Sequence, residues 1–163
     1  MRVGLISDTH GLMRPEALEA LAGSERIIHA GDIGSADVLE ALARIAPVTA
    51  IRGNNDTAEW ARAIRETTVV QLGGLSILVL HDVNTLSRDA ARAHDVVVAG
   101  HSHRPRVERN GEVLFVNPGS AGPRRFSLPI SVGHLVIDGT HADAEIHELR
   151  IAAQGAPTKQ RRR

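Results

Sequence analysis

A chain of 163 residues with 42% apolar and 23% charged content fits one domain with a real hydrophobic core. Its formal charge is zero, so nothing in the balance calls for nucleic acid or a membrane surface. The absence of cysteine excludes disulfides, thiolate nucleophiles and sulfur-ligated metal, so any metal site must be built from nitrogen and oxygen.

In chain order, residues 2–6 (R-V-G-L-I) read as a buried first strand that ends in Ser7-Asp8-Thr9-His10-Gly11. No signal-peptide layout is present there, because polar and acidic residues follow at once, and no apolar run approaches the roughly 20 residues of a membrane span. These features predict a cytoplasmic protein. Pro15 opens a helix with Leu18, Leu21 and Ala22 on its apolar stripe. A second strand over residues 26–30 runs into Gly31-Asp32, and Ser35 is placed as the N-cap of a helix over 36–44. A third strand, 48–52, ends in Gly53-Asn54-Asn55-Asp56, and Asp56 or Thr57 is expected to cap a helix through Arg65. Three strand–loop–helix units in a row predict a parallel sheet with covering helices.

The second half is richer in strands. Residues 69–72 and 75–80 flank Gly73-Gly74 as a hairpin that ends in His81-Asp82. A helix around 87–93 precedes the short apolar run 95–99, which stops at Gly100-His101-Ser102-His103. Further strands are expected at 106–109, 113–116, 130–137 and 144–151, the first two joined by an Asn110-Gly111 turn. Residues 152–163 (A-A-Q-G-A-P-T-K-Q-R-R-R) read as a disordered basic tail beyond a single domain over 1–151. With only Trp60, Phe115 and Phe126 as aromatics, a base-stacking platform for nucleic acid is not expected.

One regularity stands out across these elements. Asp8 and His10 follow the first strand, Asp32 the second, Asn54 the third, His81 the strand 75–80, and His101 with His103 the strand 95–99. The carboxyl ends of strands are where open α/β sheets bind ligands. His101 and His103, two apart in extended chain, can also point to one side. Seven such residues overfill a tetrahedral zinc, which takes four ligands, and suit two octahedral-type ions that share a carboxylate. Imidazole, carboxylate and amide oxygen together fit manganese foremost, with iron, zinc or nickel also compatible.

Asp8-Thr9-His10, Gly31-Asp32, Gly53-Asn54-Asn55-Asp56, His81 and Gly100-His101-Ser102-His103 resemble, in order, the five blocks of the calcineurin-like metallophosphoesterase superfamily. Asn117-Pro118-Gly119-Ser120, followed by Pro123-Arg124, is similar to the small single-domain branch of YfcE-like phosphodiesterases. The resemblance implies a four-layer αββα sandwich, two mixed β-sheets face to face with helices outside. It implies one metal on Asp8, His10, Asp32 and His103, and a second on Asp32, Asn54, His81 and His101, with Asp32 bridging. It further implies hydrolysis of a small phosphate ester, most of all a diester, by a hydroxide shared between two divalent ions.

Two positions depart from the superfamily pattern. Asn55 stands where many members carry a histidine that protonates the leaving oxygen; an amide can bind a substrate phosphate but delivers no proton. Asp82 stands where relatives commonly carry glycine, either as a partner for a ligand histidine or, as favoured here, facing water. Arg124 and Arg125 are candidates for pairing with a substrate phosphate, with surface charge an equal alternative. Among the remaining histidines, His29 is expected to be buried and hydrogen-bonded, whereas His94, His134, His141 and His147 are expected on the surface. A competing function from a different class is a non-catalytic metal-binding scaffold for protein partners, as in the retromer scaffold subunit; the full ligand set weighs toward catalysis. The sequence leaves a homo-oligomer open.

Overall fold

Two five-stranded mixed sheets lie face to face in the computed structural model, which describes residues 1–151. The expected basic tail, 152–163, lies outside the described residues. The first sheet has the order β10-β9-β1-β2-β3, with β1 (Arg2–Ile6), β2 (Arg26–His29), β3 (Val48–Ala50), β9 (Ser131–Asp138) and β10 (His141–Glu148). The second has the order β4-β5-β6-β8-β7, with β4 (Thr67–Leu72), β5 (Leu75–Leu80), β6 (Val96–Val98), β7 (Arg106–Asn110) and β8 (Val113–Asn117). The strands β1, β2 and β3 are parallel, as the strand–loop–helix rhythm predicts. The C-terminal strands β9 and β10 extend the same sheet antiparallel from the far side of β1.

Strand alternation divides the apolar residues among three clusters. Val3, Leu5, Ile28, Leu135 and Ile137 from the first sheet meet Ile77, Val79, Val98, Leu114 and Val116 from the second between the layers. Outside the first sheet, Ala17 and Leu21 of α1 (Pro15–Leu21) and Val38 and Leu42 of α2 (Ala36–Ala43) pack on Ile6, Ile27 and Val132. Outside the second, Ala91 of α3 (Arg88–Arg92) covers Leu78, Leu80 and Val97. The result is the expected four-layer arrangement. Each fully buried Leu or Ile contributes roughly 2 kcal/mol over its exposed state, so the layers are held mainly by this burial. Gly4 is part of the fit: a Cβ there would sit 2.8 Å from Leu21 Cδ2 and 2.9 Å from Ser24 Oγ, holding α1 off the sheet.

Some expectations need correction. The helix expected from 56 or 57 through Arg65 is only a 3₁₀ turn at Glu59–Ala61. The backbone N–H of Arg52 donates to the Arg65 carbonyl at 2.9 Å, so this segment must return almost to its start. A continuous helix of that length would run about 15 Å in one direction. Ser35 occupies the N-cap of α2 without a side-chain capping bond, whereas Ser87 caps α3 by accepting from Ala90 N. The β7–β8 loop is Gly111-Glu112, one residue later than an Asn110-Gly111 turn, because Asn110 already pairs with Val113. His134 is not on the surface: it lies wholly buried on the outer face of β9, with Nδ1 3.3 Å from an Arg2 guanidinium nitrogen and its ring stacked edge-on 4.8 Å from His147. His94 and His147 are half-buried, and His141 is exposed as expected.

His29 is buried as expected. Its Nδ1 accepts from Gly31 N at 3.1 Å and its Nε2 lies 2.9 Å from Thr9 Oγ1, which itself donates to the Ile33 carbonyl. Burial holds His29 down to about 4, and burial together with Arg2 and His147 does the same for His134. Both rings are therefore neutral in the folded chain and take up a proton near 6.5 once unfolded. Their stabilising contribution is complete above about pH 6.5 and is lost as pH falls toward 4. The melting temperature should decline through that window, and His134→Gln should flatten the decline. Circular-dichroism melts at half-unit pH steps measure both; a variant with the full wild-type slope would place the acid sensitivity elsewhere.

Candidate metal centre

The parallel pairing of β1 with β2, and of β5 with β6 and β8, aligns their carboxyl ends at one edge of each sheet. Backbone bonds then stitch the edges together. Asp8 N donates to the Gly31 carbonyl at 3.0 Å, His10 N to the Asp32 carbonyl at 3.0 Å, and Gly100 N to the His81 carbonyl at 3.0 Å. Five loops therefore converge on one place, and each carries candidate ligands from the sequence.

Asp8 and Asp32 form the centre, and both are buried. Asp8 Oδ2 accepts from Ser7 Oγ at 2.7 Å and from His101 N at 3.1 Å, which leaves Oδ1 aimed inward. Asp32 Oδ1 accepts from Asn55 N and Oδ2 from Asn55 Nδ2, each at 3.0 Å. Two groups of ligand atoms lie within 4.8 Å of one another: Asp8, His10 and His103, and Asp8, Asp32 and His81. Within them, His103 Nε2 is 3.3 Å and His81 Nε2 3.8 Å from Asp8 Oδ1, and His81 Nε2 is 3.2 Å from Asp32 Oδ2. His10 Nε2 stands 3.9 Å from both Asp8 Oδ1 and Asp32 Oδ2. His101 and Asn54 sit at the rim. The His101 ring lies 5.1 Å from that of His81, and Asn54 lines the same cavity as both.

The donor set fits divalent metal. Donors around one ion at metal–ligand lengths of about 2.0–2.2 Å stand about 3–3.5 Å apart, close to the spacings seen here. Asp8 Oδ1 is buried with no hydrogen-bond partner among the described residues, and buried His81 Nε2 has only the Asp32 carboxylate beside it, outside strict hydrogen-bond geometry. A buried acceptor left unpaired is costly, and a cation between these atoms removes the cost. For Asp32, burial pushes the carboxyl upward, but His81 and the Asn55 N–H outweigh it and bring it down to about 2. Burial opposes the charged form of His81, yet Asp32, the Ala30 carbonyl at 2.7 Å from Nδ1, and Asp8 raise it above its ordinary value. The Ala30 contact fixes Nδ1–H as donor and turns Nε2 inward as the ligand atom.

Backbone conformation shows how tightly the site is held. Asp8, His10, Asp32, His101 and His103 all have positive φ, between 47° and 70°. Such a conformation costs about 1–2 kcal/mol per non-glycine residue, so the loops are held in place by the rest of the fold. Gly31, Gly53 and Gly100 form a cradle around the donors. A Cβ on Gly31 would stand 2.7 Å from His81 Nδ1; one on Gly53 would overlap Asp32 Oδ1, and one on Gly100 would overlap Ser7 Oγ.

Two residues of the quoted motifs, Asp56 and Asn117, have bracing contacts that the motifs did not reveal. Asp56, expected only as a possible helix cap, is buried and accepts from Ile33 N, Gly34 N and Gly53 N at 2.9–3.0 Å, tying the second loop to the third. Asn117 Nδ2 donates to the Gly100 carbonyl at 2.9 Å and to Ser102 Oγ at 3.1 Å, bracing the histidine loop. The glycine preceding Asp32, Asn54 and His101 was the available signal; the partners of Asp56 and Asn117 left none. Asp82 accepts from Asn84 N and lies 3.8 Å from His101 Nε2. Arg124 is exposed and donates to the Leu128 carbonyl at 3.4 Å, while Gly122 of the same loop packs over the Asp8 and Thr9 carbonyls.

Convergent carboxylates and imidazoles at the carboxyl edges of two stacked mixed sheets define an α/β sandwich with a candidate metal centre. The chain belongs to the calcineurin-like phosphoesterase superfamily, whose domain model matches residues 1–140. It is 33% identical to a probable metallophosphoesterase of Methanothermobacter thermautotrophicus, over 90% of this chain and 91% of that protein. It is similar to the phosphodiesterase YfcE of Escherichia coli, at 28% identity over 83% of this chain and 87% of that one, and the solved structure of YfcE superposes with a TM-score of 0.68. The crystal structure of Chaetomium thermophilum Vps29 shares the fold at a TM-score of 0.79 and 22% identity, covering 96% of this chain and 91% of that one.

Gly100→Ala is expected to lower thermal stability and metal uptake together, because the new methyl group displaces Ser7 and, 2.7 Å away, Asp8 Oδ2. Differential scanning calorimetry with metal analysis by mass spectrometry measures both; unchanged values would show that the cradle relaxes freely.

Proposed function

We propose that this chain is a metal-dependent phosphodiesterase whose centre holds two divalent ions. The observation that carries this reading is the pair of donor clusters, Asp8–His10–His103 and Asp8–Asp32–His81, that meet at buried Asp8, whose Oδ1 has no hydrogen-bond partner among the described residues. Asp8, His10, Asp32 and His103 would hold one ion and Asp32, Asn54, His81 and His101 the other, with manganese the first candidate. When bound, two such ions supply Lewis acidity toward the phosphoryl oxygens and an activated water for in-line attack.

The protein's own groups prepare that chemistry. Asp32 is ionised at any working pH, so no proton has to leave it before it ligates. His81 holds its proton more tightly than an ordinary histidine, so metal binding there releases a proton and weakens as the solution is acidified. Asn55 is anchored by its backbone N–H and presents its amide on Asp32 Oδ2, on the exposed side of the site. From there the amide can reorient to a phosphate oxygen and position the ester, but it supplies no proton to the departing alcohol. The substrates that fit are small phosphate diesters with acidic leaving groups. Arg124 can approach such a substrate only by leaving the Leu128 carbonyl, a weak restraint on an exposed side chain. The likeness to Vps29 is one of fold; the complete donor set favours catalysis over a scaffold.

Asp32→Asn should reduce kcat/KM more than about 100-fold and lower bound metal per chain, read by a chromogenic diester assay and elemental analysis. Full turnover with two ions retained would sink the binuclear reading.

Wild-type rates should depend steeply on leaving-group pKa, with nitrophenyl diesters far ahead of alkyl ones. Asn55→His should speed the poor leaving groups by up to about 100-fold and the good ones much less. Asn55→Ala should slow all esters alike; a loss confined to poor leaving groups would instead make Asn55 part of an acid relay.

A further inference from the structure

Beside the candidate metal centre lies a cavity of about 320 Å³ lined by Asn54, His81 and His101 of that centre, by Arg52, and by the carboxylates Glu66 and Asp82. Arg52 ends the segment that delivers Gly53 and Asn54, and its backbone is fixed by the bond to the Arg65 carbonyl. Its side chain is only part-exposed, and its Nε is buried with no hydrogen-bond partner among the described residues. One terminal nitrogen contacts Glu66 Oε1 at 3.2 Å, and that glutamate is largely exposed at the cavity mouth.

A guanidinium presents its donors as a planar fork that matches two oxygens of a carboxylate or phosphate. Here one prong is engaged by a solvent-exposed carboxylate and the other, Nε–H, by nothing among the described residues. An exposed ion pair of this kind is weak and exchanges readily. A ligand oxyanion that displaces Glu66 would engage both prongs and satisfy the buried N–H.

Building on the phosphodiesterase reading, we infer that Arg52 is a specificity residue that selects esters carrying a second anionic group, phosphate or carboxylate, beyond the scissile phosphorus. The cavity extends directly from Asn54, His81 and His101, so a substrate whose phosphorus lies at the centre can send its second ester arm toward Arg52. Thr67 offers a hydroxyl to that arm, the Thr85 hydroxyl being committed to the Asp82 carbonyl at 2.7 Å, and buried Leu80 contributes an apolar surface. Asp82 also lines the cavity, on its His101 side: Oδ1 accepts from Asn84 N and Oδ2 lies 3.8 Å from His101 Nε2, so its charge is turned to the imidazole. Diesters whose second arm is uncharged lack a partner for Arg52 and should be poorer substrates.

The test compares phenyl 4-nitrophenyl phosphate with its 4-carboxyphenyl counterpart, which share a leaving group and differ in the second anion. Wild-type kcat/KM should favour the carboxylated ester about tenfold, mostly through KM, and Arg52→Gln should bring the ratio near one. Glu66→Gln, which removes the competing carboxylate, should lower KM for the carboxylated ester. An independent reading uses metal-free wild-type protein: the Arg52 Nε–H resonance should shift and saturate on titration with inorganic phosphate, and do so at lower phosphate in Glu66→Gln. If neither ester is hydrolysed, the phosphodiesterase reading fails while the phosphate titration still decides whether Arg52 binds oxyanions. An unmoved Nε–H signal, or a substrate ratio that survives in Arg52→Gln, overturns the inference.

Discussion

Two carboxylates, Asp8 and Asp32, lie out of water at the ends of adjacent parallel strands with their oxygens within 4.8 Å. At an effective dielectric near 20 their repulsion is about 3 kcal/mol, a large fraction of the net stability of a domain this size. Much of the surrounding structure answers that repulsion. Ser7 and the His101 N–H take one oxygen of Asp8, Asn55 takes both oxygens of Asp32, and His81 stands between them with its proton affinity raised. These groups come from four separate loops, so the carboxylates are tolerated only when both sheets are assembled.

That dependence explains why the loops can hold strained backbones. Five candidate ligands sit at positive φ, a sum of roughly 5–10 kcal/mol, comparable to the whole net stability of an average domain. No local interaction covers such a cost. It is offset by the apolar layers on either side of each sheet and by Asp56, which binds three backbone N–H groups and locks the second loop to the third. The glycines that precede Asp32, Asn54 and His101 are positions where the neighbouring ligand loop comes too close for a Cβ. Donor geometry is thereby set by backbone contact, which is stiffer than side-chain packing.

Asn55 and Arg52 show how the same loop serves both sides of the site. Asn55 is bonded to Asp32, while Arg52, three residues earlier, lines the adjoining cavity with one donor unpaired among the described residues. The Arg52–Arg65 backbone bond closes the intervening excursion into a compact loop, so both residues are held by one restraint.

The strand ends were legible in the sequence because each follows one pattern, a short apolar run and then a ligand-type polar residue, with a glycine in front of Asp32, Asn54 and His101. That pattern located Asp8, Asp32, Asn54, His81, His101 and His103 at one edge before any pairing was known. It also separated His29, inside a strand, from the histidines beyond strand ends. What it could not reach were contacts between residues distant in the chain. The burial of His134 depends on β9 crossing beside β1 and under α1, and the role of Asp56 on two loops 23 residues apart meeting. The unwinding of the expected helix after Asp56 depends on where Arg65 must return, which propensity over ten residues does not encode. Local pattern by itself determined which residues end the strands, since each strand carries its own alternation and its own terminator. Only the tertiary structure decided which donors lie unpaired and which backbones are strained, because those properties are set by the atoms that other segments bring to them.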